Sequence, residues 1–369
     1  MKRIVHVQVQ PKLSGVQNVS LEILKSLSVK EYEKFIIFGN GEIPSELYQI
    51  LTEHNINLIQ VSDLVRDVGL RDFSAFFSLM KIFREYKFDI IHTNSTKPAV
   101  LGRLAAFCSK VVSLRSCLII HTVHGIAFHK YEPLIKRMFY FIIELISCLF
   151  GSVNVSVNKY YLRFYPNLFI RNIAIYNGVD ISKMSIDIIK NRTGVFRVGF
   201  FARLDKQKDP LMFIQVIHNL HAKGYPLKAE IAGDGPLLDC CRKLVDDLEI
   251  NDVVTFHGWV QDKESFFNNV DLLLQPSRWE AFGLNIVEAG LHKVPTVASS
   301  VEGIPEVIEH KVTGVLAEEH SIDSYSSCIV TLLNDLKLLD VMSEECREIY
   351  SKKFPVGKMT KSYERLYRL

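Results

Sequence analysis

The stretch Asp271-Leu272-Leu273-Leu274-Gln275-Pro276-Ser277-Arg278-Trp279-Glu280-Ala281-Phe282-Gly283-Leu284-Asn285-Ile286-Val287-Glu288-Ala289-Gly290 decides how this chain is read. An apolar strand, Asp271 to Gln275, runs into a polar turn, and Phe282-Gly283-Leu284 opens a helix. The first amides of a helix have no intrahelical acceptor, and a glycine there admits close approach, so the turn is an anion site. Glu280 lies in the loop and Glu288 roughly one turn into the helix, so two carboxylates border one small volume. Carboxylates accept paired hydrogen bonds from sugar and ribose hydroxyls. Taken singly, the two also read as an N-capping acid and an exposed helix glutamate.

Working outward, the same strand, loop and helix unit recurs. Upstream stand Phe196 to Phe201, Ala229 to Ala232 and Val253 to Phe256; downstream stands Thr296 to Ala298, with helical patterns between. The first half alternates likewise: Ile4 to Val9, a helix near Gln17 to Leu27, Lys34 to Phe38, Ile90 to Thr93, and Ile119 to Val123. Alternation of this kind makes βαβ units on a parallel sheet. A polar, weakly patterned stretch from Asp180 to Thr193 reads as a linker. The chain of 369 residues is long enough for two such domains. The expected division is 1–180, 195–350, and a basic helix over 351–369 that packs back on the first domain. Ligands of doubly wound sheets bind at the carboxyl ends of strands, so the loops after strands are where chemistry belongs.

Composition narrows the class. With 48% hydrophobic and 23% charged residues, the chain is an ordinary globular protein and not a solvated tail. Cys108, Cys117, Cys148, Cys240, Cys241, Cys328 and Cys346 are odd in number and form no C-x-x-C, so reduced thiols in a cytoplasmic protein are expected. Met1-Lys2-Arg3 leads directly into a strand and does not read as a signal peptide. The longest apolar block, Met138 to Phe150, is broken by Glu144 and is too short to span a bilayer. The net charge of +3 conceals an asymmetry: residues 1–180 hold 21 Lys/Arg against 14 Asp/Glu, a balance of +7, and the remainder carries −4. A basic first half points to an anionic partner such as a membrane leaflet or a nucleic acid.

Other loops carry charge or glycine. After Arg197 to Phe201 come Ala202-Arg203-Leu204-Asp205-Lys206-Gln207-Lys208-Asp209-Pro210, in which Arg203 and Lys208 are placed to bracket a diphosphate, or else are solvated surface cations. Gly233-Asp234-Gly235-Pro236 alone is a turn. In the first half, Leu13-Ser14-Gly15-Val16 follows the first strand, and His121-Thr122-Val123-His124-Gly125 ends another. A strand turns His121 and His124 to different faces, which disfavours a metal pair. No G-x-x-x-x-G-K-[ST] occurs, and Gly39-Asn40-Gly41-Glu42-Ile43-Pro44 ends in proline where a third glycine would open a helix, so kinase and dinucleotide redox chemistry lose ground.

Together these motifs resemble the glycosyltransferase family 4 enzymes, over nearly the whole chain and most specifically from Val195 to Ala317. The pattern P-S-x-x-E-x-F-G-L-x-x-x-E-A holds the E-x7-E pair Glu280 and Glu288. Pro295-Thr296-Val297-Ala298, Gly303-Ile304-Pro305-Glu306-Val307-Ile308 and Thr313-Gly314-Val315-Leu316 continue it. The resemblance implies an α/β chain of GT-B fold, two Rossmann-like doubly wound domains facing a central cleft, with a nucleotide-sugar donor and retention of anomeric configuration. It implies that Arg203 and Lys208 hold the donor diphosphate, Glu288 the ribose, and Glu280 the transferred sugar. Phe282, Gly283 and Leu284 would lend backbone amides, Gly15 would close on the phosphates from the other domain, and His124 would touch the sugar near the reaction centre. Ala281 stands where glycine is commoner, and Lys293 stands where the family usually has glycine before Val294-Pro295. No cofactor is expected, since the nucleotide-sugar is a substrate, and no metal, since no Asp-x-Asp pair follows a strand.

Residues 66–171 carry 15 Lys/Arg against 6 Asp/Glu, interleaved with aromatics. The segments Arg71 to Arg84 and Lys130 to Phe150 read as amphipathic or apolar helices flanked by cations, fit for an anionic lipid surface or for a core with solvated edges. The segment Val123 to His129 is similar to that of bacterial enzymes extending undecaprenyl-diphosphate-linked glycans for O-antigen or capsule. The expectation is a peripheral protein on the inner face of the plasma membrane, using a UDP-sugar and a lipid-linked glycan acceptor, with no nucleic acid bound. A soluble family 4 enzyme with a small-molecule or glucan acceptor, and a UDP-sugar epimerase of GT-B fold, are the alternatives.

Overall fold

A computed structural model describes residues 1–165, 167, 170–182, 184 and 194–369. Most of the linker read between Asp180 and Thr193 lies outside the described residues. The chain divides into two compact units: Met1–Gly178 together with Val356–Leu369, and Val179–Pro355.

In the first unit, strands β1 (Lys2–Val7), β2 (Tyr32–Phe38), β3 (Ile56–Gln60), β4 (Ile90–Asn94), β5 (Leu118–Val123), β6 (Val153–Ser156) and β7 (Arg171–Ala174) form one parallel sheet in the order β3-β2-β1-β4-β5-β6-β7. Helices α1 (Gly15–Ser26), α2 (Ser45–Glu53), α3 (Arg71–Tyr86), α4 (Thr96–Ser113) and α5 (Leu134–Cys148) make the crossovers. The order reverses between β1 and β4, and their carboxyl ends flank a topological switch point. Val5, Val7, Ile37, Leu79, Ala105 and Ile119 belong to the core under α3 and α4.

The second unit repeats the plan. Strands β8 (Phe196–Phe201), β9 (Leu227–Ala232), β10 (Val254–Gly258), β11 (Leu272–Gln275), β12 (Thr296–Ser299) and β13 (Gly314–Ala317) lie in the order β10-β9-β8-β11-β12-β13, all pairs parallel. Here the switch point falls between β8 and β11. Helices α6 (Pro210–Ala222), α7 (Leu238–Asp247), α8 (Lys263–Asn268), α9 (Leu284–Leu291), α10 (Ile304–Val307), α11 (Ile322–Asn334) and α12 (Leu336–Lys353) complete it. The helix α13 (Val356–Tyr367) belongs to the first unit and packs against α1.

Two positions resolve questions raised by the sequence. Lys293, in place of the usual glycine, keeps the turn by adopting φ 58°, and its Nζ reaches Glu344 Oε1 at 2.7 Å. Gly233 and Gly235 are more than turn residues: a Cβ on Gly233 would lie 1.9 Å from the Ala202 carbonyl oxygen, and one on Gly235 2.4 Å from that of Leu204. Only glycine lets the loops after β8 and β9 touch backbone to backbone.

Helix α5 is inverted in polarity. Glu144, Ser147 and Cys148 face inward. There the fully buried Arg103 of α4 donates to Glu144 Oε1 at 2.9 Å, Ser147 Oγ at 2.5 Å, Asn154 Oδ1 at 3.2 Å and the Ala99 carbonyl at 2.7 Å. Outward stand Leu134, Ile135, Met138, Phe139, Ile142 and Ile146, with Ile135 85% exposed. Phe107 of α4 meets Phe150 with centroids 5.2 Å apart and the rings tilted by 59°, and Val111, Val112 and Leu114 at the end of α4 are exposed as well. Arg103 thus leaves the tally of surface cations, and Lys97 does too, since it is closed in an ion pair with Asp72 at 2.5 Å. Among the described residues no helix is long and apolar enough to cross a membrane.

Candidate active site

The loops after β8 and β11 flank the switch point of the second unit, and they are fastened to each other. Asp205, 8% exposed, accepts the amides of Gln207 and Lys208 on Oδ1 at 3.0 Å each, which folds the first loop. The Arg278 amide donates to the Gln207 carbonyl at 2.8 Å, and Gln207 Nε2 donates to the Trp279 carbonyl at 3.1 Å. In this frame Lys208 Nζ forms an ion pair with Glu280 Oε2, both mostly buried. Arg203 is paired with Asp205, its Nε 2.5 Å from Oδ2, but its side chain remains 57% exposed. Each of the two cations thus stands against a carboxylate, Arg203 against Asp205 and Lys208 against Glu280.

Asp209 closes the loop. It sits at φ 51°, caps α6 by accepting the Met212 amide, and has Pro210 in the first turn. Its Oδ2 also meets Arg278 Nη2 and His320 Nε2, each at 2.9 Å. His320 Nδ1 bonds Tyr325 Oη at 2.9 Å, which bonds Ser299 Oγ at 2.6 Å. A non-glycine residue in the left-handed region costs on the order of 1 kcal/mol. The buried carboxylate meets that cost with three partners.

The turn into α9 has the geometry the sequence predicts. Gly283 is its N-cap at φ 83°, and a Cβ there would meet Ile286 Cδ1 at 2.8 Å. Phe282 is buried against Phe354, Leu284 begins the helix, and the Gly303 amide donates to the Glu280 carbonyl at 3.0 Å. Asn285 Nδ2 ties α9 to the Phe201 carbonyl at 2.9 Å and to Gln275 Oε1 at 2.6 Å. Glu288 does not share the cation of Glu280: its Oε1 lies 2.6 Å from Lys263 Nζ of α8. Lys263, Asp209, Arg278 and His320 were not singled out by sequence. Asp209-Pro210 does carry a helix-start signal, whereas partners as distant as His320 carry none.

Gly15 and His124 lie in the first unit. Gly15 opens α1 after β1, and His124 follows β5 with its Nε2 3.0 Å from Asn94 Oδ1 at the end of β4. Desolvation lowers the His124 pKa to about 4, so the ring is neutral at physiological pH. His121 points to the other face of β5, where it bonds Thr93. Among the described residues no group of His, Cys, Asp or Glu is disposed to hold a metal ion.

With this geometry the chain's relatives can be placed. The profile of "Glycosyl transferases group 1" matches residues 185–349, and that of "Glycosyltransferase Family 4" matches residues 13–183. The chain is 28% identical to the Escherichia coli UDP-Gal:alpha-D-GlcNAc-diphosphoundecaprenol alpha-1,3-galactosyltransferase, over 99% of this chain and 96% of that one. It is 25% identical to the Escherichia coli O-antigen biosynthesis glycosyltransferase WclY, over 99% and 98% of the two chains. The fold matches the crystal structure of Anabaena Alr3699/HepE in complex with UDP and glucose, with TM-score 0.81, 20% identity and full coverage of both chains. The strand–loop–helix constellation around Glu280 and Glu288, the two parallel sheets and both profiles agree: the chain is an enzyme of glycosyltransferase family 4, with the GT-B fold of two Rossmann-like units.

Proposed function

We propose that the protein is a retaining transferase that moves a sugar from a UDP-sugar to an undecaprenyl-diphosphate-linked glycan, in O-antigen or capsule synthesis, while docked on an anionic membrane. The observation that carries the donor assignment is the Lys208–Glu280 pair, held beside Arg203 and the α9 N-terminus at the switch point. The diphosphate takes the place of the carboxylates as partner of Arg203 and Lys208, and the freed Glu280 accepts hydroxyls of the transferred sugar. Glu288 accepts the ribose hydroxyls. As the bond from the anomeric carbon to the phosphate oxygen breaks, the negative charge gathering on the diphosphate is met by two fixed cations and the amides of Gly283 and Leu284. The acceptor hydroxyl attacks the same face, its oxygen bonding the anomeric carbon and its proton passing to the departing phosphate oxygen. Those cations supply the charge a divalent metal would otherwise bring.

The lipid-linked acceptor is supported by the first relative, whose name gives a diphosphoundecaprenol substrate, and by the inverted helix α5. A helix in water buries its apolar face; this one anchors its polar face on Arg103 and leaves the apolar face outward, with Lys130 and Lys136 exposed beside it. That combination fits an in-plane seat at the headgroup boundary. The test incubates the protein with UDP-galactose, UDP-glucose or UDP-N-acetylglucosamine and a polyprenyl-diphosphate GlcNAc, with product anomer read by NMR. Transfer with an α linkage is expected; conversion of UDP-sugar without acceptor, an inverted product, or transfer to soluble acceptors alone would overturn it. Flotation with phosphatidylcholine vesicles containing 30% phosphatidylglycerol tests the seat. Binding that survives Ile135→Ser with Phe139→Ser, or formation of a dimer through this face, would refute it.

A further inference from the structure

The amino ends of β2 and β3 frame a pocket of about 430 Å³, at the opposite end of the first sheet from Gly15 and His124. That volume lies within the roughly 300–1,000 Å³ usual for small-molecule sites. Strand alternation builds its floor. Phe35 and Ile37 of β2 enter the core under α3 and α4, so Tyr32 and Lys34 turn to the other face. There Lys34 stands opposite Ile56 of β3, its register partner, and Leu51 of α2 joins them in lining the pocket. Tyr32, Lys34, Leu51 and Ile56 are 3%, 2%, 2% and 5% exposed. The exposed Val29 and Thr52 stand at the rim.

Lys34 has no counter-charge. Among the described residues its Nζ makes neither a hydrogen bond nor an ion pair, while its carbonyl accepts from Asn57 Nδ2 at 3.2 Å. Burial, with no charged neighbour contributing, lowers its pKa. The carboxylates close by are taken: Glu33 Oε2 accepts from Arg3 Nε at 2.7 Å, and Glu364 Oε1 accepts from Arg368 Nη2 at 2.6 Å. A lysine this deeply buried is almost always paired, because an ammonium withdrawn from water without a partner is costly. Lys34 is also the one lysine or arginine among the residues that line the pocket. The floor therefore offers a single uncompensated positive charge between two aliphatic side chains.

We propose that this pocket binds a small monocarboxylic acid, its carboxylate accepting a hydrogen bond from Lys34 Nζ and its hydrocarbon body lying on Leu51 and Ile56. One ammonium answers one negative charge, and the charge-assisted bond is stronger than a bond to a neutral acceptor. A phosphate dianion would bring a second charge that no other side-chain cation of the lining meets. A neutral polar ligand would leave the ammonium without its counter-charge, and an inorganic anion would leave Leu51 and Ile56 uncovered. The site lies away from the carboxyl ends of the strands, so its occupant is neither the donor nor the acceptor of glycosyl transfer, and the proposal stands apart from that reading.

The experiment reads binding. Calorimetry titrates sodium hexanoate, its uncharged analogue hexanamide and inorganic phosphate into wild type, Lys34→Met and Thr52→Trp, and methyl NMR follows Leu51 and Ile56. Wild type is expected to bind one hexanoate at least tenfold more tightly than hexanamide or phosphate, with shifts at both methyl-bearing residues. Lys34→Met keeps the pocket's shape and removes its charge, and should bring acid and amide within twofold of each other. Thr52→Trp changes an exposed helix position and leaves the core untouched; its indole should fill the mouth and abolish binding of both. Equal affinity of wild type for acid and amide would mean that water alone serves the ammonium, and would overturn the site. A preference for the acid that survives Lys34→Met, methyl shifts that miss Leu51 and Ile56, or tighter binding of phosphate would overturn it as well.

Discussion

Acid should unfold the first unit from its centre. His6, His92 and His121 are 0%, 0% and 2% exposed, and desolvation is the largest cause lowering each pKa, to about 3 for His6 and well below 6.5 for the others. In the unfolded chain these imidazoles take protons as the pH falls below about 6.5; in the folded chain they do not until much lower. The unfolded state therefore binds more protons, and stability is complete above pH 6.5 and drains away as the pH drops toward the folded values. Each pH unit costs about 1.4 kcal/mol per imidazole. At pH 5 three of them amount to roughly 6 kcal/mol, a ceiling that is large against the roughly 5–15 kcal/mol stability of a domain. The bonding explains why protonation is refused: Tyr367 Oη donates to one histidine and accepts from the other, and a second ring proton would face a donor. Hydrogen exchange of the β1, β4 and β5 amides, corrected for intrinsic rates, should show protection falling by about four decades between pH 7 and pH 5. A fall of less than tenfold would show that these imidazoles reach protons without unfolding, and the reasoning would be wrong.

Glu288→Ala and Lys208→Ala should each lower kcat/KM at least tenfold with the fold kept; Lys208→Ala also strands the Glu280 carboxylate, so its melting temperature should fall a few degrees while that of Glu288→Ala hardly moves. EDTA should leave turnover unchanged, and loss restored by Mg²⁺ or Mn²⁺ would refute a metal-independent leaving group. Tyr367→Phe should cost on the order of 2–4 kcal/mol in urea unfolding, because it leaves nitrogens of both His6 and His92 without their hydroxyl. Lys293→Gly should hold stability or raise it by up to about 1 kcal/mol, since it relieves φ 58° at the loss of an ion pair whose Glu344 is largely exposed.

Much of the fold was legible because β-branched runs and glycine-bearing turns are local signals. The ends shifted slightly: β1 spans Lys2–Val7 instead of Ile4 to Val9, and α1 spans Gly15–Ser26 instead of Gln17 to Leu27. Gln8 and Val9 looked like strand sequence, but the pairing with β2 ends at Val7, with the Gln8 amide making the last bond to the Ile37 carbonyl at 2.9 Å. The α9 turn was legible for the same local reason, since Phe282-Gly283-Leu284 must supply a positive φ and free amides within three residues. What pairs with what was not. Glu280 and Glu288 read as neighbours on one volume, yet each is held by a cation from a different element, Lys208 after β8 and Lys263 on α8. The Asp209–His320 contact joins residues 111 apart, and the His6–Tyr367 contact joins residues 361 apart, so neither leaves a trace in spacing.

The case of α5 shows why periodicity alone could not choose between core and surface. An apolar stripe recurring at Leu134, Ile135, Met138, Ile142 and Ile146 looks the same whether it faces inward or outward. Orientation was settled by a residue on another helix: Arg103 cannot be buried without a carboxylate and several acceptors, and beside Asn154 and the Ala99 carbonyl it is the polar stripe of α5 that provides the carboxylate of Glu144 and the hydroxyl of Ser147. Burying the apolar stripe instead would leave that guanidinium unpaired, at a cost of several kcal/mol. The polar anchor therefore forces the apolar face outward, and an aqueous surface gains nothing from such an arrangement. A bilayer does, and for that reason the inverted helix is stronger support for the proposed membrane seat than the excess of lysines and arginines over acidic residues in 66–171.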